Sequence, residues 1–142
     1  MENIESNRVA KYGGHRYGRG TVYVGAWNTK GKRQEEGHLE LADGTRYGGY
    51  FDDGLFNGMG VLSFPDGSKY EGEFLEGWFH GSGIFWRSDG LVTFNDGTNG
   101  FPRNEGFFQD CKLVKKRRCP EAVQKAQKIA FMARTQFENA VN

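Results

Sequence analysis

The chain has 142 residues, 37% hydrophobic and 15% aromatic, with a formal net charge of +1. That length supports one domain with a modest core, and so few aliphatic residues mean that rings must supply much of its burial. Charge is divided, with 11 Lys and Arg against 16 Asp and Glu over residues 1–110, then seven basic residues against Glu121 alone over 111–128; the acidic body would repel phosphate, so nucleic acid is not expected as a partner.

The opening residues, MENIESNRVAKY, contain no apolar stretch of the signal-peptide kind, and no apolar run approaches the roughly 18 residues of a membrane span. A cytoplasmic protein is expected. Residues 1–22 read as an N-terminal segment and partial repeat, its half-copy being YGRGTVY. Full units follow over 23–46, 47–69 and 70–90, with a partial one over 91–100. Superposing Tyr47 on Tyr70 gives a period of 23 residues. Counting from each tyrosine, Gly recurs at +2, Phe or Trp at +4, Gly at +7, +11 and +13, and Asp-Gly at +19 and +20. The unit beginning at Tyr23 is one residue longer, so its +11 position is either Gln34 or Glu35.

Alternation over +0, +2 and +4, as in YEGEF, is the period of a strand, and +13 to +17, as in GVLSF, reads as a second strand. The glycines at +7 and +20 supply the positive φ of hairpin turns. Each unit is therefore one β-hairpin, with the glycine at +2 expected to let a neighbouring unit's ring lie on the backbone. A lone hairpin is marginal in water, whereas stacked units bury one another's rings. The fold class is mainly β: a single-layer antiparallel β-hairpin solenoid with a C-terminal α-helix packed on it.

These residues carry a resemblance. YEGEFLEGWFHGSG is similar to the MORN repeat (membrane occupation and recognition nexus), over roughly residues 12–100. DGTNGFPRNEGFF with the basic run and CPEAVQKAQ, together with GLFNGMGVLSFPDGSKYEGEF, resembles the small stand-alone MORN proteins of the retinophilin type. The resemblance implies a non-enzymatic adaptor that binds the tail of a class III unconventional myosin, in actin-rich protrusions or photoreceptor membranes. One departure stands out. After Asp89-Gly90 the segment LVTFNDG replaces the expected Tyr-x-Gly-x-Trp strand, as if about half a repeat, 16 residues, were missing. Val92 and Phe94 would then exchange facing with Leu91, Thr93 and Asn95.

Residues 101–118 form a linker with a basic run, and 119–142 a helix. Pro120 suits a first helical turn and Glu121 its positive dipole end. Val123, Ala126, Ala130, Ala133, Phe137 and Val141 make one narrow stripe, expected to lie as a lid on the sheet of rings. Lys115, Lys116, Arg117 and Arg118 are either a solvated run or a patch for anionic phospholipid, the alternative function as a peripheral membrane module.

No nucleophile–base pair stands out, and His15, His38 and His80 fall at three different repeat positions. The Asp-Gly turns lack the other oxygen ligands of a calcium loop, and no glycine cluster opens a helix as a phosphate cradle does. Cys111 and Cys119 lack zinc spacing and read as free thiols. Catalysis, metal and cofactor are therefore not expected, and a monomer is. What remains is a surface: an aromatic face with acidic rims suited to an amphipathic basic segment. Its candidate contacts are Tyr23, Trp27, Tyr47, Phe51, Tyr70 and Phe74, with Asp52, Glu71 and Glu73 as charge partners.

Overall fold

The computed structural model describes residues 8–97 and 119–138. Strands β1 (Val9–Arg16), β2 (Val22–Asn28), β3 (Arg33–Glu40), β4 (Arg46–Asp52), β5 (Leu55–Ser63), β6 (Lys69–Leu75), β7 (Trp78–Trp86) and β8 (Val92–Gly97) form one antiparallel sheet in sequence order, open at both edges. Helix α1 (Cys119–Ala133) continues into a π-helical turn over Arg134–Glu138.

Hairpins follow from the turn chemistry. Asp53-Gly54 and Glu76-Gly77 are two-residue turns with φ of 50° and 91°, and 48° and 89°. Two successive positive φ values define the turn whose twist matches that of the flanking strands. The Asp-Gly turns have a second design: Leu41, Phe64 and Arg87 each donate N–H to the carbonyl four residues on, while an aspartate carboxylate accepts the N–H of Thr45, Ser68 or Leu91. The Thr45 N–H holds the Asp43 carboxyl below the usual range, and the Ser68 hydroxyl, with the Ser68 N–H, does so for Asp66. Ser88-Asp89-Gly90 therefore makes the same turn as its counterparts. β8 takes the place of a first strand, with Thr93 and Asn95 in the register positions of Tyr70 and Gly72.

A line of glycines crosses the sheet: Gly13, Gly25, Gly37, Gly49, Gly60, Gly72 and Gly83 are successive register partners. Tyr23 lies over Gly37, Tyr47 over Gly60 and Tyr70 over Gly83, so a methyl group at any of those glycines would fall inside the ring. From sequence a neighbouring unit's ring is expected on the glycine at +2; there Gly25, Gly49 and Gly72 instead meet the paired strand's backbone and their own unit's tyrosine hydroxyl, and the ring covers the second-strand glycine of its own unit. In each hairpin the register slips just past the first strand's glycine, with two extra residues on the second strand. There the tyrosine hydroxyl donates to the carbonyl of Ala26, Tyr50 or Glu73, at 2.8, 2.8 and 3.1 Å. The glycine makes room, and the hydroxyl satisfies a carbonyl that the slip has taken out of the ladder.

Above this line the rings interlock. Tyr47 stacks on Phe56 at 3.8 Å and Tyr70 on Phe79 at 4.1 Å, while Tyr23 and Tyr47 meet Phe51 and Phe74 of the next unit edge-on at 5.2 Å. In the first unit Arg33 stands where Phe56 and Phe79 stand, its guanidinium 5.9 Å from the Tyr23 ring centre and 5.7 Å from that of Phe51. Trp27 pairs with Arg33 as Phe51 pairs with Phe56, which puts the first unit's extra residue in the turn between β2 and β3. Glu35 is then the counterpart of Gly58 and Gly81. All three have positive φ: 56°, 93° and 61°.

Glu35 thus adopts a left-handed conformation that costs a side-chain-bearing residue about 1–2 kcal/mol. Glu35→Gly should stabilise the chain by about 0.5–1 kcal/mol once glycine's larger unfolded-state entropy is counted, seen as a rise of a few degrees in Tm. Burial also pushes the Tyr23 phenol up to about 12 and that of Tyr47 well above its ordinary value. Because the folded state holds these protons more tightly than the unfolded chain, their contribution is intact below pH of about 10 and lost as pH rises toward 12. Phenolate absorbance and loss of the sheet's circular dichroism should therefore appear together in that window.

Candidate partner-binding surface

Of the nine residues singled out as contacts, the six aromatic ones are brought together and Glu71 lies on the other face; the sheet itself uses all nine. Tyr23, Trp27, Tyr47, Phe51, Tyr70 and Phe74 are at most 7% exposed and join Leu39, Leu62 and Phe79 in the ring core. An incoming peptide would not meet them as an open face. Asp52 accepts a hydrogen bond from Gln34, and the Glu73 carboxylate accepts the backbone N–H of Ser82 at 2.7 Å.

Glu71 is fully buried, on the face opposite the rings. Its carboxylate takes Arg134 Nη1 at 2.6 Å and the Trp86 indole N–H at 3.0 Å on one oxygen, with Lys69 Nζ 3.1 Å from the other. Arg134 comes from the π-helical turn, so the helix docks on this face and not on the rings as its stripe suggested. The ring face is already filled by its own side chains. The opposite face offers Val61 to Ala133 and Phe137, and Ile84 to Ala126 and Ala130. Tyr50 closes the end, meeting Phe137 edge-on at 5.1 Å and accepting a hydrogen bond from Gln136. Gly48 faces Phe137 there, beside the His38 imidazole, whose pKa burial lowers. Of the predicted stripe, Ala126, Ala130, Ala133 and Phe137 are buried in this contact; the Val123 side chain and Val141 lie outside the described residues.

Exposed apolar groups gather elsewhere. Leu55, Leu75 and Trp78 are 49%, 38% and 56% exposed. Leu75 and Trp78 are register partners, and Leu55 sits about 4.0 Å from where a Cβ on Gly77 would lie. They form a ridge along the two-residue turns, beside Asp53 and Glu76. Successive turns are clasped through the +10 side chains, with Gln34 accepting the Asp53 N–H and Asn57 that of Glu76. Sequence reading missed this ridge because it took residues at the turns as connectors. A second rim is left where half-buried Tyr17, Phe56, Phe64 and Phe85 border the ring core.

The basic run Lys115, Lys116, Arg117 and Arg118 and the FPRNEG segment lie outside the described residues, as do Cys111 and the side chain of Cys119. Among the described residues no cluster of His, Cys, Asp or Glu could hold a metal ion, and no helix is long and apolar enough to cross a membrane.

Breaking the Glu71 cluster should release the helix. Arg134→Ala leaves a buried carboxylate with one ammonium and one indole N–H, at a cost of about 2–3 kcal/mol. Faster proteolysis within α1 would report it. Adding Glu71→Leu should recover most of the loss, because the uncompensated charge is then gone.

Comparison with known proteins places these strands. The MORN repeat model matches residues 47–69 and 70–92. The chain is also 56% identical over 147 residues to the MORN repeat-containing protein 4 homolog of Drosophila melanogaster, covering 92% of this chain and 74% of that protein.

Proposed function

The chain belongs to the MORN-repeat proteins, and we propose that, within that family, it is an adaptor of the retinophilin type that holds the tail of a class III unconventional myosin. It is a non-enzymatic protein-interaction module. The partner follows from the resemblance of FPRNEG and the central repeats to retinophilin-type chains, and actin-rich protrusions or photoreceptor membranes follow with it.

One observation carries the reading: three large apolar side chains, Leu55, Leu75 and Trp78, stand exposed together beside Asp53 and Glu76. An amphipathic basic segment fits such a surface, its apolar residues on the ridge and its cations on the carboxylates. Phe56 links the ridge to the ring core, since it stacks on Tyr47. The aromatic face thus reaches the partner through its rim, with Tyr23, Trp27, Tyr47, Phe51, Tyr70 and Phe74 as the wall behind it.

A shortened repeat after Gly90 belongs to the same reading. The alignment runs over 147 residues, whereas 92% of this 142-residue chain supplies about 131, so about sixteen residues of the relative have no counterpart here. That shortfall supports the loss of half a repeat inferred from LVTFNDG.

Calorimetry with a class III myosin tail tests the proposal. Leu75→Ser with Trp78→Ser should weaken binding by tenfold or more while Tm stays within a few degrees, since both side chains are exposed. Replacing Lys115, Lys116, Arg117 and Arg118 by Ala should leave it intact. Unchanged affinity in the ridge variant would remove the ridge as the contact, and no binding of the unaltered chain at micromolar concentration would remove the partner.

A further inference from the structure

The register gives every strand a place in the unit, and it makes β1 a second strand with no first strand among the described residues. Gly13 pairs with Gly25 and His15 with Tyr23, as Gly37 pairs with Gly49 and Leu39 with Tyr47. Tyr17 to Thr21 close with the same backbone hydrogen bond as Leu41 to Thr45. In each later unit the second strand's other edge is taken by a strand that lays its tyrosine over the glycine: Tyr23 over Gly37, Tyr47 over Gly60, Tyr70 over Gly83. Among the described residues nothing lies within 4 Å of where a Cβ on Gly13 would stand. A cavity of about 330 Å³ opens there instead, lined among others by Lys11, Gly13, His15, Tyr17 and Trp27. Residues 10–16 are exposed along the whole edge, and Tyr12 is 77% exposed.

The surroundings specify what would fill it. Trp27 stands where Phe51 stands to receive Tyr23 edge-on, so it can take an incoming ring the same way. Arg8, Lys11 and Arg16 make this edge basic, with no carboxylate between residues 8 and 17. The strands that occupy the equivalent place carry Tyr-x-Gly, and in Tyr70-Glu71-Gly72-Glu73 the intervening residues are acidic. Residues 1–7, MENIESN, contain neither an aromatic residue nor a glycine.

We propose that the free edge of β1 is a docking site, separate from the turn ridge, for an extended acidic segment of a partner protein carrying an aromatic-x-Gly sequence. The segment pairs antiparallel with β1, sets its glycine opposite Gly13 and its aromatic residue opposite His15, and lays the ring over Gly13 against Trp27. Main-chain hydrogen bonds hold the strand, and the single ring slot selects its sequence.

A labelled peptide copying residues 67–76, GSKYEGEFLE, supplies the probe. Fluorescence anisotropy with the full chain should show saturable binding, weakened at least tenfold when the peptide's tyrosine becomes alanine. Gly13→Val should abolish it, because the new side chain fills the slot. The same variant should melt within a degree or two of the unaltered chain, since that Cβ meets nothing among the described residues. The Leu75→Ser/Trp78→Ser variant should bind the peptide normally, and Gly13→Val should bind the myosin tail normally, which separates this site from the ridge. No binding at millimolar peptide would overturn the proposal, as would binding indifferent to both the tyrosine and Gly13. Concentration-dependent dimers in sedimentation that Gly13→Val dissolves would also overturn it, by making a second copy of the chain the occupant.

Discussion

A tyrosine hydroxyl reaching over a glycine to a carbonyl at a register slip is the contact on which the rest of this sheet depends. A ring can lie on the backbone only where the partner strand has no Cβ, which fixes the glycine at +13. Just past that strand's own glycine the register slips, the second strand carrying two extra residues, and a first-strand carbonyl at the slip needs a donor. The same hydroxyl satisfies it. Tyrosine, glycine and slip are thus one device, repeated at Tyr23, Tyr47 and Tyr70, and phenylalanine in place of tyrosine would leave the carbonyl orphaned.

Filling one face in this way decides how the other is used. With its rings interlocked, the inner face has little left to offer a large partner beyond its rim. The opposite face has an isoleucine, a valine, a tyrosine and one buried carboxylate, and the helix answers each of them: alanines for the aliphatic pair, Phe137 for Tyr50, Arg134 for Glu71. Function is left to the places that neither core covers, chiefly the turns and the free edge.

Most of the architecture was legible in the sequence because a repeat states its own period, and glycine, aspartate and aromatic residues name their backbone requirements. The hairpins, their turns and the helical stripe all come from that. Three things were hidden. Which ring covers which glycine depends on register, and a strand's alternation shows facing without showing reach. The helix's choice of face was obscured because Ala126, Ala130 and Ala133 suit any close approach, and nothing in the sequence pairs Arg134 with Glu71. The candidate contacts were picked by residue type, and aromatic residues in a repeat serve its own core before they serve a partner. Which of Gln34 and Glu35 holds the +11 position was likewise open until the pairing of Trp27 with Arg33 fixed it.

Glu71 has a consequence for how such an array can change length. A helix bound only through Val61 and Ile84 and moved one unit toward the amino terminus would meet His38 and Val61, keeping one aliphatic seat of the two. The residues that correspond to Glu71 in the two preceding units are Val24 and Gly48. Neither can engage Arg134, so the helix has one address along the array. Units added or lost before Tyr47 leave that address untouched. The array is free to grow at its amino-terminal end while the carboxy-terminal end keeps its seat.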